Sequence, residues 1–541
     1  MKIKKNWTIM GIILFAATIL CSITFYRIAA HTESLSESEK KRQETAKALV
    51  QSVYTEAYQN HVEENLEQKK STGNYTEETM LIEENPYGTN TLSLYVYFNT
   101  EEKVSVSYKV EVSDPDIPDF EKTPAGESDY GTEHEFQVLG LIPEEINTIV
   151  FTLRGEDGNE RTYSYVHEMG SLLGDEEIQL ENTKAKEEGD YISDGLYVIL
   201  GNDSDEMDFM YYYDNFGILR GEIPLLGYRS HRLLFQDGLM YYSISDNKMA
   251  AVNALGKVEK IYDTGNYSLH HDYVLDDDGN LLVLATDTTS DSIEDQVIKI
   301  NAATGEITNV LDLGDLFPDY KKMCVENEDG DLDWMHINTI QWLGNGEVLL
   351  SSRETSTILM ITDLYCSPKI KYMIGEKTFW EGTGYENLLL EKDESLGSFS
   401  GTGGQHSVTY VQDETTNEGE YYLYLFNNNF GTSVSNPSYD WTKIEGIETS
   451  VTEGVSSYFY KYKIDENQRN YYLVHSFQVP YSAYVSSVQE YKENVIVDSG
   501  MKGIFGEYDE NGSLLQEFQM KMDNKFIYRV YKYDFMGFYF A

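Results

Sequence analysis

At 541 residues the chain is longer than one hydrophobic core accommodates, so two or three domains are expected. Its 92 Asp+Glu outweigh 41 Lys+Arg, and the resulting formal net charge of -51 excludes a polyphosphate partner: no nucleic acid is expected to bind. With 41 % hydrophobic residues the chain is globular, not a disordered acidic tail.

Lys2, Lys4 and Lys5 precede an apolar run from Trp7 to Tyr26, close to the roughly 20 residues that a bilayer-spanning helix needs. Residues 1–30 are expected to be a retained membrane anchor, with the basic flank inside and everything after it outside. The competing reading is a cleaved signal peptide, for which Ala29-Ala30 supplies small residues, although Ile28 at minus three disfavours it. Both readings place the body of the chain on the extracytoplasmic face. Residues 31–75 are expected to form a helical stalk, because Ala46, Leu49, Val50, Val53, Ala57 and Tyr58 recur at three- and four-residue steps. Two roles are open for that stripe, pairing with a second copy in a homodimer or packing on the next domain. Of three cysteines, Cys21 lies in the apolar run, which leaves Cys324 and Cys366 as the one intrachain pair outside it; their number does not fix the compartment.

From residue 76 to 172 the period changes to two: "TLSLYVYF", "KVSVSYKVEV" and "NTIVFTLRG" alternate apolar and polar residues between turn formers, which reads as a small β-sandwich. Residues 173–190 are charged, show no apolar face and read as a linker. In 191–541 a strand, a Gly-containing turn and a second strand repeat. The copies are "SHRLLFQDGLMYYSI", "HHDYVLDDDGNLLVLAT", "HINTIQWLGNGEVLLSSR", "QHSVTYVQDETTNEGEYYLYLF" and "VSSVQEYKENVIVDSG", with "DGLYVILGNDSDEMDFMYYYDNFG" as a divergent first. Six units at periods of about 40 residues or more predict a six-bladed β-propeller. The fold class is therefore all-β, behind an N-terminal transmembrane and stalk helix; 44 Tyr and 22 Phe suit the strands.

Three of the ten histidines, His271, His336 and His406, stand at the same place in successive units, near the start of the first strand. In a propeller such positions face one axis, so three imidazoles are expected to converge there. Their neighbours His270, Asp272, Asn338 and Gln405, with Arg353 at the end of "EVLLSSR", suit a small anion. An open three-histidine zinc site is the alternative, but no metal is expected. "DDDGN" and "NEDGD" lack the acid at the first position of a calcium loop. The sequence holds no G-x-S-x-G elbow, nucleotide loop or H-E-x-x-H. Any group donor must then be small and available outside the cell, and no cofactor is expected.

"HHDYVLDDDGNLLVL", "DWMHINTIQWLGNGEVLLSSR" and "GGQHSVTYV" resemble the three motif blocks of bacterial arylsulfate sulfotransferases, and the small β domain is similar to that family's N-terminal sandwich. The resemblance implies nucleotide-independent, ping-pong transfer of a sulfuryl group from a phenolic sulfate ester to a phenol. It implies that His406 is the nucleophile that carries a transient sulfohistidine, and that His271 and His336 hold the sulfuryl oxygens and move protons. Arg353 and Asn338 match polar partners, His270 lies beside them as a substrate-binding candidate, and Ser486 in "AYVSSVQEY" matches a threonine of the last motif loosely, since the local pattern differs. Two other functions stay open from the residues alone: a non-catalytic propeller that binds glycans or proteins, and an aryl sulfate hydrolase with water as acceptor. Five Trp in all count against a quinone-cofactor dehydrogenase.

Overall fold

The computed structural model describes residues 37–201, 208–451, 454–522 and 526–541. The expected anchor, residues 1–30, lies outside the described residues, among which no helix is long and apolar enough to cross a membrane. The chain divides into two compact units, Met1–Leu49 and Val50–Ala541.

The helix expected for the stalk is two helices, α1 (Glu37–Val53) and α2 (Glu56–Thr72). Thr55 separates them in an extended conformation, and its hydroxyl caps α2 by accepting from Tyr58 N at 3.3 Å. Within the larger unit α2 packs instead of standing free. Gln59 is buried and donates to Val53 O and Tyr87 O at 2.8 and 3.0 Å, while Leu66 sits with Tyr87, Tyr95 and Tyr97. For α2 the packing role is the one observed.

Strands Leu81–Glu84, Ser93–Glu111, Phe120–Lys122, Gly131–Leu139, Ile146–Gly155 and Glu160–Glu168 follow. The expected sandwich is built as one continuous six-stranded sheet, because Ser93–Glu111 runs through both halves. Its first half pairs with Gly131–Leu139 and its second with Ile146–Gly155, across a register shift between Asn99 and Val104. Val104, Val106, Tyr108 and Val110 all point inward, as period-two alternation dictates.

In the remainder strand is the dominant regular structure, and among the described residues it forms six sheets of four or five strands each. The second is Leu234–Gln236, Leu239–Ser245, Lys248–Asn253 and Val258–Asp263; the third is Tyr267–Leu275, Leu281–Asp287, Gln296–Ile300 and Ile307–Asp312. The fourth is Ile337–Gly344, Glu347–Ser352, Thr357–Thr362 and Lys369–Ile374. His406–Val411 is one edge of the fifth and Ser487–Tyr491 one edge of the sixth. Consecutive sheets share apolar cores: Tyr241 and Met249 pack with Tyr273 and Val283, Leu282 and Leu284 with Val348 and Leu350, and Leu349 and Met360 with Leu423 and Leu425.

Both ends of the region are tied across the chain. Val530–Tyr533, the last strand, pairs with Leu196–Ile199 and so completes the first sheet. Glu181–Lys184 pairs with Leu514–Gln519 at the edge of the sixth sheet. The stretch 173–190, expected to be a linker, therefore contains a strand and a buried Leu180. An edge strand needs no apolar face, only a partner for its backbone, and that partner is remote: Thr183 donates to Glu517 Oε1, 334 residues away. Cys324 and Cys366 are both free thiols.

Candidate functional site

A break in register recurs where the first strands begin. It lies between Leu269 and Tyr273 in the third sheet, Ile337 and Thr339 in the fourth, and His406 and Thr409 in the fifth. At these breaks His271, His336 and Ser407 adopt positive φ of 54°, 48° and 55°. Non-glycine residues pay for that conformation with local strain, and such strain collects where a side chain must be aimed against the regular pleat. Here it turns His270, His271, His336 and His406 out of the alternating pattern.

His271 and His336 meet, with ring centroids 4.8 Å apart, and His270 stands 5.2 Å from His271. Glu294, from the loop after Leu281–Asp287, joins the first two: its Oε2 lies 3.0 Å from His271 Nε2 and 2.7 Å from His336 Nδ1. Asp333 Oδ2 approaches the same His336 nitrogen at 2.7 Å. Burial and Arg353 act to lower the His336 pKa, but Asp333 and Glu294 together raise it to about 9, so this imidazole is charged at neutral pH. His271 is the opposite case. Burial is its largest influence and holds it at about 3 despite Glu294. As a neutral ring it donates through Nε2 to Glu294, and its Nδ1 lies 2.9 Å from the Tyr528 hydroxyl, which donates to His271 O at 3.1 Å. Burial also disfavours ionisation of Glu294, yet His336 and His271 outweigh it and keep the carboxylate ionised.

Arg353 closes the group. Its backbone N donates to His336 O at 3.1 Å, and its guanidinium lies 3.7 Å from Asp333 and 3.3 Å from the buried Glu354. His406 is reached through Gln405, whose amide donates to Ser351 Oγ and Ser352 O at 3.0 and 3.1 Å, directly before Arg353. His406 is buried, and its Nδ1 lies 2.9 Å from Gly404 O and 2.8 Å from Asn428 Oδ1. Burial first, then His271, His336 and Arg353, hold its pKa well below 6.5 against Asn428. It is a neutral imidazole that feels the charge of His336.

Three expected residues do other things. Asn338 is fully buried, and its amide donates to Gln405 O at 2.8 Å, tying the fourth sheet to the fifth. Ser486 is fully buried behind the site, where it donates to Ser482 Oγ at 2.8 Å and accepts from Gly500 N. His270 has both ring nitrogens buried without a hydrogen-bond partner. Asp272, next to the histidine pair, holds no histidine: it accepts from Arg232 and Arg529 at 3.0 Å each. Sequence reasoning missed Glu294, Asp333, Tyr528 and Asn428. Asp333 had a visible signal in the three-residue step of "DWMH", while Glu294, Tyr528 and Asn428 arrive from connections with no motif.

The family model for arylsulfotransferase (ASST) matches residues 181–532, and that for the arylsulfotransferase Ig-like domain matches residues 81–170. The chain belongs to the arylsulfotransferase family. In general terms it is a sulfotransferase of aryl sulfates and phenolic substrates. No curated protein matches it. Among solved structures, a candidate 6-phosphogluconolactonase from Bacteroides uniformis ATCC 8492 is 10 % identical over 80 % of this chain and 100 % of its own, with a TM-score of 0.34. The WD40 domain of Toxoplasma gondii coronin (8 % identity, 64 % of this chain, 75 % of its own, TM-score 0.31) and Citrobacter koseri AztD (11 %, 80 %, 98 %, 0.28) are similarly distant. Likeness at that level defines neither fold nor activity here.

Proposed function

We propose that the six sheets are the blades of a propeller, held on the outer face of a membrane by residues 1–30, and that the enzyme works by ping-pong transfer through a sulfohistidine on His406. The observation that carries the chemistry is the contrast between two imidazoles of one site: His336 charged, with a pKa of about 9, and His406 neutral. A neutral imidazole is a nucleophile, and an imidazolium is an acid.

In the first half-reaction the His406 Nε2 lone pair forms an N–S bond as the S–O bond to the aryl oxygen breaks. The departing phenolate takes a proton from His336 Nε2, and Glu294 and Asp333 remain as acceptors at Nδ1. Arg353 faces the negative charge of the sulfuryl oxygens, where a fixed cation lowers the barrier. In the second half-reaction the acceptor phenol returns its proton to His336, its oxygen bonds to sulfur, and the N–S electrons go back to His406. A propeller reading is supported by the strand pairing of residues 196–199 with 530–533, which joins the ends of the sheet series, and by the shared cores between consecutive sheets.

The test is incubation with 4-nitrophenyl sulfate alone, then with phenol. Donor alone is expected to release one nitrophenol per chain and add one sulfuryl mass to the peptide that contains His406, stable in base and labile in acid; phenol then removes it. Release of nitrophenol without any protein-bound sulfuryl group overturns the covalent pathway.

A further inference from the structure

We propose that Asn428 is a positioning residue that fixes which nitrogen of His406 attacks; this rests on the His406 reading above. The side-chain amide has no freedom to present its nitrogen to the imidazole. Its Nδ2 donates to two backbone carbonyls, Ser482 O at 2.9 Å and Val485 O at 3.0 Å, and both can only accept. Oδ1 is therefore the atom that lies 2.8 Å from His406 Nδ1. Gly404 O stands 2.9 Å from the same nitrogen. Two acceptors require a donor, so Nδ1 carries the proton and Nε2 keeps the lone pair.

The placement has a structural source. Asn428 follows Glu420–Asn427, the strand that pairs with His406–Val411, so it comes from the same hairpin as the imidazole it orients. The carbonyls that clamp it come from the loop before Ser487–Tyr491 of the next sheet, and Ser482 is braced there by Ser486. A neutral acceptor is also the right kind. A carboxylate at that place raises an imidazole pKa and favours the protonated ring, which has no lone pair to give. Asn428 orients the ring without protonating it.

The experiment reads the donor-alone burst of nitrophenol, on the full chain, across pH 5 to 10 for wild type, Asn428→Ala and Asn428→Asp, with thermal melting of each. Wild type is expected to show no acidic limb of His406 near neutrality. Asn428→Ala is expected to lower the burst rate about 10-fold at every pH, because only Gly404 O still orders the ring. Asn428→Asp is expected to introduce an acidic limb, with the burst suppressed near neutrality and recovering as pH rises. A change of fold alone lowers the rate without moving a limb. If Asn428→Asp has the wild-type profile and Asn428→Ala the wild-type rate, the inference is overturned. If wild type shows no burst and no protein-bound sulfuryl group, the parent reading fails instead, whatever the variants do.

Discussion

Glu294 Oε2 lies 2.7 Å from His336 Nδ1 across the gap between the third and fourth sheets. That ion pair, with Asp333 on the other side, keeps an otherwise buried imidazole protonated.

Glu294→Gln is therefore expected to move the alkaline limb of kcat/KM down by about 1 to 2 pH units from a wild-type value near 9. The profile is measured as transfer from 4-nitrophenyl sulfate to phenol. The same raised pKa stabilises the fold: the contribution is fully present below the unfolded value of about 6.5 and is lost as pH rises through about 9. Melting temperature across pH 6 to 10 should fall more in wild type than in the variant.

His406→Ala should abolish both nitrophenol release and formation of phenyl sulfate, whereas Arg353→Ala should leave a slow enzyme on the same pathway. Loss of one preorganised charge donor costs about 2.7 to 4 kcal/mol in the transition state, or roughly 100- to 1000-fold in rate. Single-turnover kinetics separate the two outcomes, and near-normal transfer by His406→Ala would assign the nucleophile elsewhere.

Asp272 and Arg529 are both fully buried and 3.0 Å apart. Asp272→Ala leaves the Arg529 guanidinium without its buried counter-charge, which costs about 3 to 5 kcal/mol. Urea unfolding should show a loss of that size, and Arg529→Met in the same background should restore part of it.

The "GGQH" glycines are a matter of space as well as flexibility. A Cβ on Gly403 would meet Phe430 N at 2.8 Å and Phe430 C at 3.0 Å, both backbone atoms. Gly403→Ala is expected to destabilise by about 1 to 3 kcal/mol and to displace His406 three residues on. The urea midpoint and the donor-alone burst should fall together.

If residues 1–30 anchor the chain, the full-length protein pellets with membranes and its β region is cleaved by protease added from outside. Recovery of the uncleaved, full-length chain in the cytoplasm would refute the placement.

Much of this was readable in the residues because the signals are local. Each hairpin after Ser230 carries its own alternation and its own turn, and His271, His336 and His406 sit near its start, although the backbone position of His271 and His336 is held by Ser407 in the fifth sheet, one residue after His406. What the sequence hid depends on distance or on irregular backbone. "ENTK" has no apolar residue, and only its pairing with Leu514–Gln519 makes Glu181–Lys184 a strand. Glu294 reads as one more acid in "SIEDQ", and only its positive φ of 57° and the breaks at His271 and His336 bring it between two imidazoles. Asn338 and Ser486 stand at plausible motif positions yet spend their hydrogen bonds on neighbouring backbone and side chains.

The pairing of Val530–Tyr533 with Leu196–Ile199 also sets a timetable for synthesis. Arg529, which holds Asp272, and Tyr528, which holds His271, arrive with that strand. The middle sheets have all their strands as soon as they emerge, but the first keeps an open edge until residues 530–533 are made, long after residues 196–199. A chain caught before that point exposes an unpaired strand edge, which invites pairing with other chains, and lacks the partners of His271 and Asp272. Deleting residues 528–533 should therefore remove the reaction and the solubility of the product together.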